Sequence, residues 1–297
     1  MEKITLTFLG TGNAVPTPKR NHTAMLLTYK NENILIDCGE GTQRQFKIAN
    51  LSANKITKLL ITHLHGDHVL GIPGLFQTLA MNDYQKVLEI YGPRGTERFI
   101  SSLEQLFHIK IKTQVKEIFS KFFESDDFYL EAAPMKHDTP CLAYSFVIKD
   151  KYRLDKSALK KLKLPNSLLL KKLQVGEDIT FEGKKIKAKD VSYLEKGRKI
   201  TFILDTAFNE GAIELARGSD ILVCESSFSN EESQLASERM HLTAEQAATI
   251  AKKANVRQLI LTHISQRYEH NPRIILEEAK KVFKNTTLAK DFDVINF

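Results

Sequence analysis

Four residues of metal-binding type fall within six positions in the segment 62–68 (THLHGDH): His63, His65, Asp67 and His68. They follow directly on the apolar run KLLIT at 58–62. His63 and His65 can point from this loop into one site, while Asp67 and His68 turn toward a second. Gly66 is expected to supply the tight backbone that such crowding demands. Imidazole and carboxylate without thiolate suit Zn²⁺, with Mn²⁺ or Fe²⁺ as alternatives.

One loop cannot close two sites. His137 in the turn MKHDTP, Asp205 at the end of TFILD and His263 at the end of QLILT each stand where a buried strand meets a loop. That is where open α/β sheets place their chemistry. A two-metal site needs a bridging group, and a carboxylate such as Asp205 is the usual solution. Two divalent ions ~3.5–4 Å apart produce a hydroxide at neutral pH and stabilise the entering and leaving oxygens. Phosphodiesters fit that chemistry, as do lactones, thioesters and sulfate esters, so the metals alone do not choose the substrate.

The elements that must position these residues follow from hydrophobic periodicity and turn residues. Strands are expected at 3–9, 23–29, 33–37, 58–62, 88–91, 128–133, 142–148, 200–204, 221–224 and 258–262. Helices are expected at 41–49, 70–81, 94–106, 243–254 and 272–283, the fourth capped by Thr243 with Glu245 and Gln246 in its first turn. The section 152–183 is lysine-rich with spaced leucines and reads as short amphipathic helices. There is an internal echo: ILID at 34–37 and LLITH ending at His63 match FILD at 202–205 and LILTH ending at His263. Two β-α halves with their polar strand ends on one shared edge would form a pseudo-twofold αββα sandwich.

Composition narrows the class. The chain has 297 residues, 42% hydrophobic and 27% charged, with no apolar run near the ~18 residues that cross a bilayer. The start, MEKITLTFLGTGN, reads as a strand without signal-peptide character. Cys38, Cys141 and Cys224 are far apart and form no CxxC pair, which argues against a disulfide framework and for the cytoplasm. Of the net charge of +7, the segment 149–199 carries +9, from sixteen Lys/Arg against seven Asp/Glu, and the remainder is −2. A basic segment on a nearly neutral body fits a polyanion such as nucleic acid.

With these residues in place, the sequence resembles the metallo-β-lactamase superfamily and, within it, the ribonuclease Z family of tRNA 3′-processing endonucleases. The resemblance covers essentially the whole chain. It rests on FLGTGNAVPTPKRN at 8–21, LLIDCGEGTQRQ, THLHGDH, MKHDTP, LDT at 204–206, CESSF at 224–228, HLTAEQAA at 241–248 and LTHISQRY at 261–268. The HxHxDH spacing gives only the superfamily; PTPKRN, the His-x-Thr at 241–243 and HISQRY narrow it.

The resemblance implies a single catalytic domain over 1–297, a four-layer αββα sandwich, with 149–199 as an inserted, protruding basic arm that binds the tRNA body. It implies that His63, His65, His137 and Asp205 hold one zinc, and that Asp67, His68, His263 and the bridging Asp205 hold a second. Asp67 would accept a proton from the attacking water. His241 would protonate the leaving 3′-oxygen, with Glu225 orienting its ring, and a His–carboxylate pair has the chemistry for that. Lys19, Arg20 and Asn21 would contact the acceptor stem and scissile region.

The implied substrate is precursor tRNA, cut by water to leave a 3′-hydroxyl on the tRNA and a 5′-phosphate on the trailer. The implied assembly is a homodimer. The sequence departs from the family in the arm, where Pro165 stands without the usual glycine-proline motif, and in Leu204 and Leu242. Two competing readings are a general metal-dependent phosphodiesterase or small-ester hydrolase, and a non-catalytic RNA-binding protein with structural metals.

Overall fold

A computed structural model describes residues 2–165 and 167–297; Met1 and Asn166, the latter inside the lysine-rich stretch read as helical, lie outside the described residues. The first half supplies β1 (Ile4–Gly10), β2 (Ala24–Tyr29), β3 (Glu32–Ile36), β4 (Lys58–Leu60), β5 (Val87–Gly92) and β6 (Lys112–Glu117). Then come β7 (Phe123–Glu124), β8 (Phe128–Met135) and β9 (Cys141–Ile148), and the arm contributes β10 (Lys151–Leu154), β11 (Ile179–Phe181), β12 (Lys184–Ile186) and β13 (Ser192–Glu195). The last strands are β14 (Lys199–Ile203), β15 (Ile221–Glu225), β16 (Gln258–Thr262), β17 (Thr286–Leu288) and β18 (Val294–Asn296).

Two seven-stranded sheets result, ordered β18-β1-β2-β3-β4-β5-β6 and β7-β8-β9-β14-β15-β16-β17. Each has three antiparallel pairings followed by three parallel ones, in the same sequence along the sheet. The pseudo-twofold reading therefore holds for the architecture. Position by position it holds only in part. The strand before Asp37 and the strand before Asp205, β3 and β14, are equivalent, but β4 is matched by β15 and not by β16, so His63 and His263 end non-equivalent strands.

Side chains alternate across each strand. In β2 and β3, Met25, Leu27, Ile34 and Ile36 face the other sheet, where they meet Tyr144, Phe146, Phe202 and Val223. On the opposite face, Leu26 and Leu35 pack under Phe46 of the helix Thr42–Ile48, Leu75 and Leu79 of Ile72–Met81, and Ile100 of Thr96–Leu106. The second sheet is covered by Glu210–Ala216, Ala244–Lys253 and Arg273–Val282. Ala244–Lys253 buries Ala244, Ala247, Ala248 and Ala251 and opens with the expected cap, a capping box between Thr243 and Gln246. Such a cap is worth about 1 kcal/mol. Helix on sheet, sheet on sheet and sheet on helix give four layers.

The arm differs from its expected form. Short helices are present at Lys156–Lys161 and Leu168–Gln174, but so are an antiparallel pair, β10–β13, and a hairpin, β11–β12. Leu173, Ile179, Ile186, Ala188 and Val191 form a small core separate from the three in the body. Strands of three or four residues are too short to display alternation, which is why the pattern read as helical. The arm leaves from the end of β9 and returns into the start of β14. Asp205 follows the opposite end of β14, six residues from Lys199 or about 20 Å of strand away. Lys160, Lys161, Lys163, Lys171, Lys172 and Lys187 on the arm are exposed.

Candidate metal centre

The carboxyl ends of β3, β4, β14, β15 and β16 meet along one edge between the sheets. After β4 the chain passes through a bend at Thr62 to His65, the N-cap position of a one-turn helix, Gly66–Val69, carrying Asp67 and His68. The crowding here does not fall on Gly66. A Cβ at that position would meet only the flexible end of Leu70 at 3.0 Å. The close backbone approaches are at Gly39 and Gly71, where a Cβ would lie 2.4 Å from the Asp67 carbonyl oxygen and 2.0 Å from the Gly39 carbonyl oxygen.

Seven side chains from four places in the chain converge. Ligand-type atoms of His63, His65, His137 and Asp205 lie within 4.8 Å of one another, and so do those of Asp67, His68, Asp205 and His263. Asp205, 2% exposed, is common to both groups and divides its oxygens between them. Its Oδ2 lies 3.5 Å from His63 Nε2 and 3.9 Å from His137 Nε2. Its Oδ1 lies 3.4 Å from His68 Nε2 and 3.2 Å from His263 Nε2. Asp67 Oδ2 stands 3.4 Å from both His68 Nε2 and His263 Nε2.

The outer nitrogens of the rings fix which nitrogen faces inward. His68 Nδ1 lies 2.6 Å from Asp37 Oδ2. Thr62 Oγ1 donates to the same carboxylate at 2.7 Å and takes His63 Nδ1 at 3.1 Å. On the other side Ser227 Oγ donates to Glu225 Oε2 at 2.7 Å and takes His263 Nδ1 at 2.9 Å. His137 Nδ1 is held 3.2 Å from the Met240 carbonyl oxygen. In each case the partner sits at Nδ1 and Nε2 is turned into the centre. With a metal bound the ring would keep its proton on Nδ1 and offer the Nε2 lone pair. Without one, and against the cost of burial, Asp205, Asp37 and Asp67 hold His68 well above its ordinary pKa.

Asp37, Thr62, Ser227 and the Met240 carbonyl were not among the residues expected from sequence. The one signal for them was the Asp37 end of ILID in the internal echo. Asp37 and His263 both adopt left-handed backbone, φ 54° and 58°, which costs each about 1 kcal/mol or more and is tolerated where surrounding contacts enforce it.

The donor set fits metal binding. His63 Nε2 and Asp205 Oδ1 are buried without a hydrogen-bond partner, a state that is costly in a folded protein unless another group satisfies them. Burial and the neighbouring imidazoles of His68, His137 and His65 push His63 well below its ordinary pKa. Against the cost of burial, His263 and His68 hold Asp205 well below the carboxylate range, and His68 and His263 do the same for Asp67. Deprotonated carboxylates and a neutral imidazole are the ligating forms.

Glu225 and His241 stand beside this centre, clustered with His263. Glu225 is fully buried at the end of β15, where its Oε1 accepts from the Thr206 amide at 2.8 Å. Its oxygens lie 3.0 and 3.1 Å from His241 Nδ1. Burial disfavours charge on His241, but Glu225 and then Asp205 raise its pKa to about 9. His241 Nε2 is turned inward, 3.9 Å from Asp205 Oδ2.

A cleft of about 420 Å³ opens over the centre, lined on its walls by Asn13, Ala14, His137, His241, Arg239 and Arg267. Residues 19–21 follow the loop that forms one wall. Lys19 is exposed and Asn21 half-buried, its amide donating to the Glu40 carbonyl oxygen at 2.8 Å. Arg20 departs from its expected contact with substrate. It is 6% exposed, and its Nη1 donates to Thr11 Oγ1 at 2.6 Å and to the Ala289 carbonyl oxygen at 2.8 Å. The guanidinium ties this loop to the C-terminal segment instead of facing solvent.

Comparison with known proteins agrees with this geometry. The family profile for the anti-Pycsar protein Apyc1 matches residues 4–158, which hold the His63–His68 loop and His137 but not Asp205, His241 or His263. A beta-lactamase superfamily domain profile matches 190–264. Ribonuclease Z of Nanoarchaeum equitans (strain Kin4-M) is 36% identical over 97% of this chain and 92% of its own length. Ribonuclease Z of Prochlorococcus marinus (strain NATL1A) is 40% identical over 97% of each. The crystal structure of the short form of human tRNase Z superposes with a TM-score of 0.72 at 29% identity, covering 98% of both chains. The chain belongs to the ribonuclease Z family of the metallo-β-lactamase superfamily.

Proposed function

We infer that this protein is a metal-dependent endoribonuclease that removes the 3′ trailer from precursor tRNA. The observation that carries the reading is the division of Asp205 between two complete His/Asp groups, with His241 and Glu225 beside them, in a chain related over nearly its whole length to ribonucleases Z. His63, His65, His137 and Asp205 would hold one ion and Asp67, His68, His263 and Asp205 a second. Zn²⁺ suits these ligands, with Mn²⁺ or Fe²⁺ as alternatives. When bound, two such ions lower the pKa of water and stabilise charge on the entering and leaving oxygens.

The chain's own groups supply the rest. Asp67, ionised and at the rim of the second group, takes the proton of the attacking water. His241, charged and fixed by Glu225, donates from Nε2 to the departing 3′-oxygen. Arg239 and Arg267 line the cleft where the phosphodiester lies, and Lys19 and Asn21 approach the acceptor stem, positioning the RNA through its backbone. The products are a tRNA 3′-hydroxyl and a trailer 5′-phosphate.

The arm, charged and rooted about 20 Å of strand from Asp205, serves to hold the tRNA body away from the cut. A homodimer would let one subunit's arm hold tRNA cleaved by the other. No helix among the described residues is long and apolar enough to cross a membrane. Three buried free thiols suit a reducing compartment such as the cytoplasm.

Removing the arm tests the substrate assignment. Leu154 and Ser192 are directly paired where β10 and β13 run antiparallel, so a short turn can join them without disturbing the body. The shortened protein should lose most cleavage of precursor tRNA and keep hydrolysis of bis(p-nitrophenyl) phosphate. Equal loss of both would count against the clamp, and unchanged tRNA cleavage would favour a general phosphodiesterase.

A further inference from the structure

Four of the five histidines in the two groups have their outer nitrogen held by a buried or half-buried partner: Thr62, Asp37, Ser227 and the Met240 carbonyl. His65 is the fifth. It is the most exposed of the set, with its side chain 40% accessible, and it is turned the other way round. Its Nδ1 faces inward, 3.3 Å from His137 Nε2, so Nε2 is its outer nitrogen. There Asp138 Oδ1 stands 3.3 Å away, on a side chain 62% accessible at the lip of the cleft.

We propose that Asp138 is a positioning residue for His65, holding a proton on Nε2 so that the Nδ1 lone pair faces the first metal group. The proposal rests on the reading of that group as a metal site. An imidazole left to solvent exchanges its proton between the two nitrogens and rotates about two side-chain bonds. A carboxylate beside one nitrogen selects the tautomer, restrains the ring and makes the other nitrogen a stronger donor. His137 gains such restraint from a backbone carbonyl, and His63 from a buried hydroxyl. His65, at the solvent side, has the adjacent acidic residue on the His137 turn. Loss of an outer partner of this kind lowers metal affinity by about 10–100-fold.

The same Asp138 oxygen lies 3.3 Å from His137 Nε2, a nitrogen that faces the centre, so direct ligation is the competing outcome. Titrating metal-free protein with Co²⁺, followed by its visible absorption, and competing it with Zn²⁺ separates the two. Asp138→Ala should weaken one of two bound Co²⁺ ions by about tenfold or more. Asp138→Asn keeps an oxygen that accepts from Nε2–H but is a poor metal ligand, and it should stay within about threefold of the parent. Full affinity in Asp138→Ala overturns the proposal, and so does an Asn variant as weak as the Ala variant, which would make Asp138 a ligand. His63→Ala serves as the control for the centre itself: if it too leaves both ions bound, the metal reading has failed, not the role of Asp138.

Discussion

Glu225 joins the two chemical halves of the centre: one carboxylate oxygen lies 3.0 Å from His241 Nδ1, and the other accepts from Ser227, whose hydroxyl meets His263 Nδ1. The group that orients the proposed acid therefore also braces a proposed metal ligand. Asp37 plays a similar part on the opposite wall, through His68 directly and His63 by way of Thr62. Each wall thus ends in a buried carboxylate behind a hydroxyl behind an imidazole.

If His241 protonates the leaving oxygen, its importance depends on how badly that oxygen leaves. His241→Ala should lower kcat on precursor tRNA by about 10²–10⁴-fold with little change in bound metal. Hydrolysis of bis(p-nitrophenyl) phosphate, whose phenolate departs without a proton, should fall far less. Comparable losses on both substrates would show that His241 does something other than donate that proton.

Asp37 and Asp67 should separate cleanly by metal dependence. Asp37→Ala leaves every proposed ligand in place but frees His68, so affinity for metal should drop about 10–100-fold and excess Zn²⁺ should restore turnover. Asp67→Ala removes a proposed ligand and the proposed proton acceptor together. Its turnover should stay low in excess metal, with one ion retained where the parent takes two, as metal analysis after gel filtration would reveal.

Lys19 and Arg20 are neighbours in opposite settings, one exposed and one buried. Arg20→Ala breaks hydrogen bonds from a buried charge to Thr11 and Ala289 and should cost about 1.5–3 kcal/mol, read as a lower Tm or urea midpoint. Lys19→Ala should leave the midpoint alone and raise KM for precursor tRNA. A stable Arg20 variant with weakened RNA binding would restore the role expected from sequence.

Burial raises the Cys38 thiol to about 12, and Cys141 and Cys224 also lie well above the ordinary range. At pH 8 all three remain thiols and are shielded. Folded protein should resist iodoacetamide, while protein in denaturant should take up three labels. Rapid labelling of the folded chain would contradict the packing around β3, β9 and β15.

The metal centre was legible because each ligand ends a periodic buried strand or lies in one short loop, where spacing alone says what can meet. Its supports were not. Asp37 acts on His68, thirty-one residues on, and Ser227 on His263, thirty-six residues on. No local pattern announces either. The burial of Arg20 could not be read for the same reason, since one carbonyl it donates to belongs to Ala289, 269 residues away. The echo found the equivalent Asp-ended strands but joined His63 to His263, because two buried apolar strands look alike whichever position they hold in a sheet. In the arm, β11 and β12 of three residues each left no alternation to read.

The proposed reaction is hydrolysis of precursor tRNA at its 3′ side by water in a metal-dependent site. It is tested most directly with a 5′-labelled, 3′-extended precursor tRNA, using metal-stripped protein and the same protein after Zn²⁺ is restored. No cleavage is expected without metal, and with it one product near the discriminator nucleotide, ending in a 3′-hydroxyl that poly(A) polymerase can extend. A 2′,3′-cyclic phosphate end, or undiminished cleavage by the stripped protein, would contradict it.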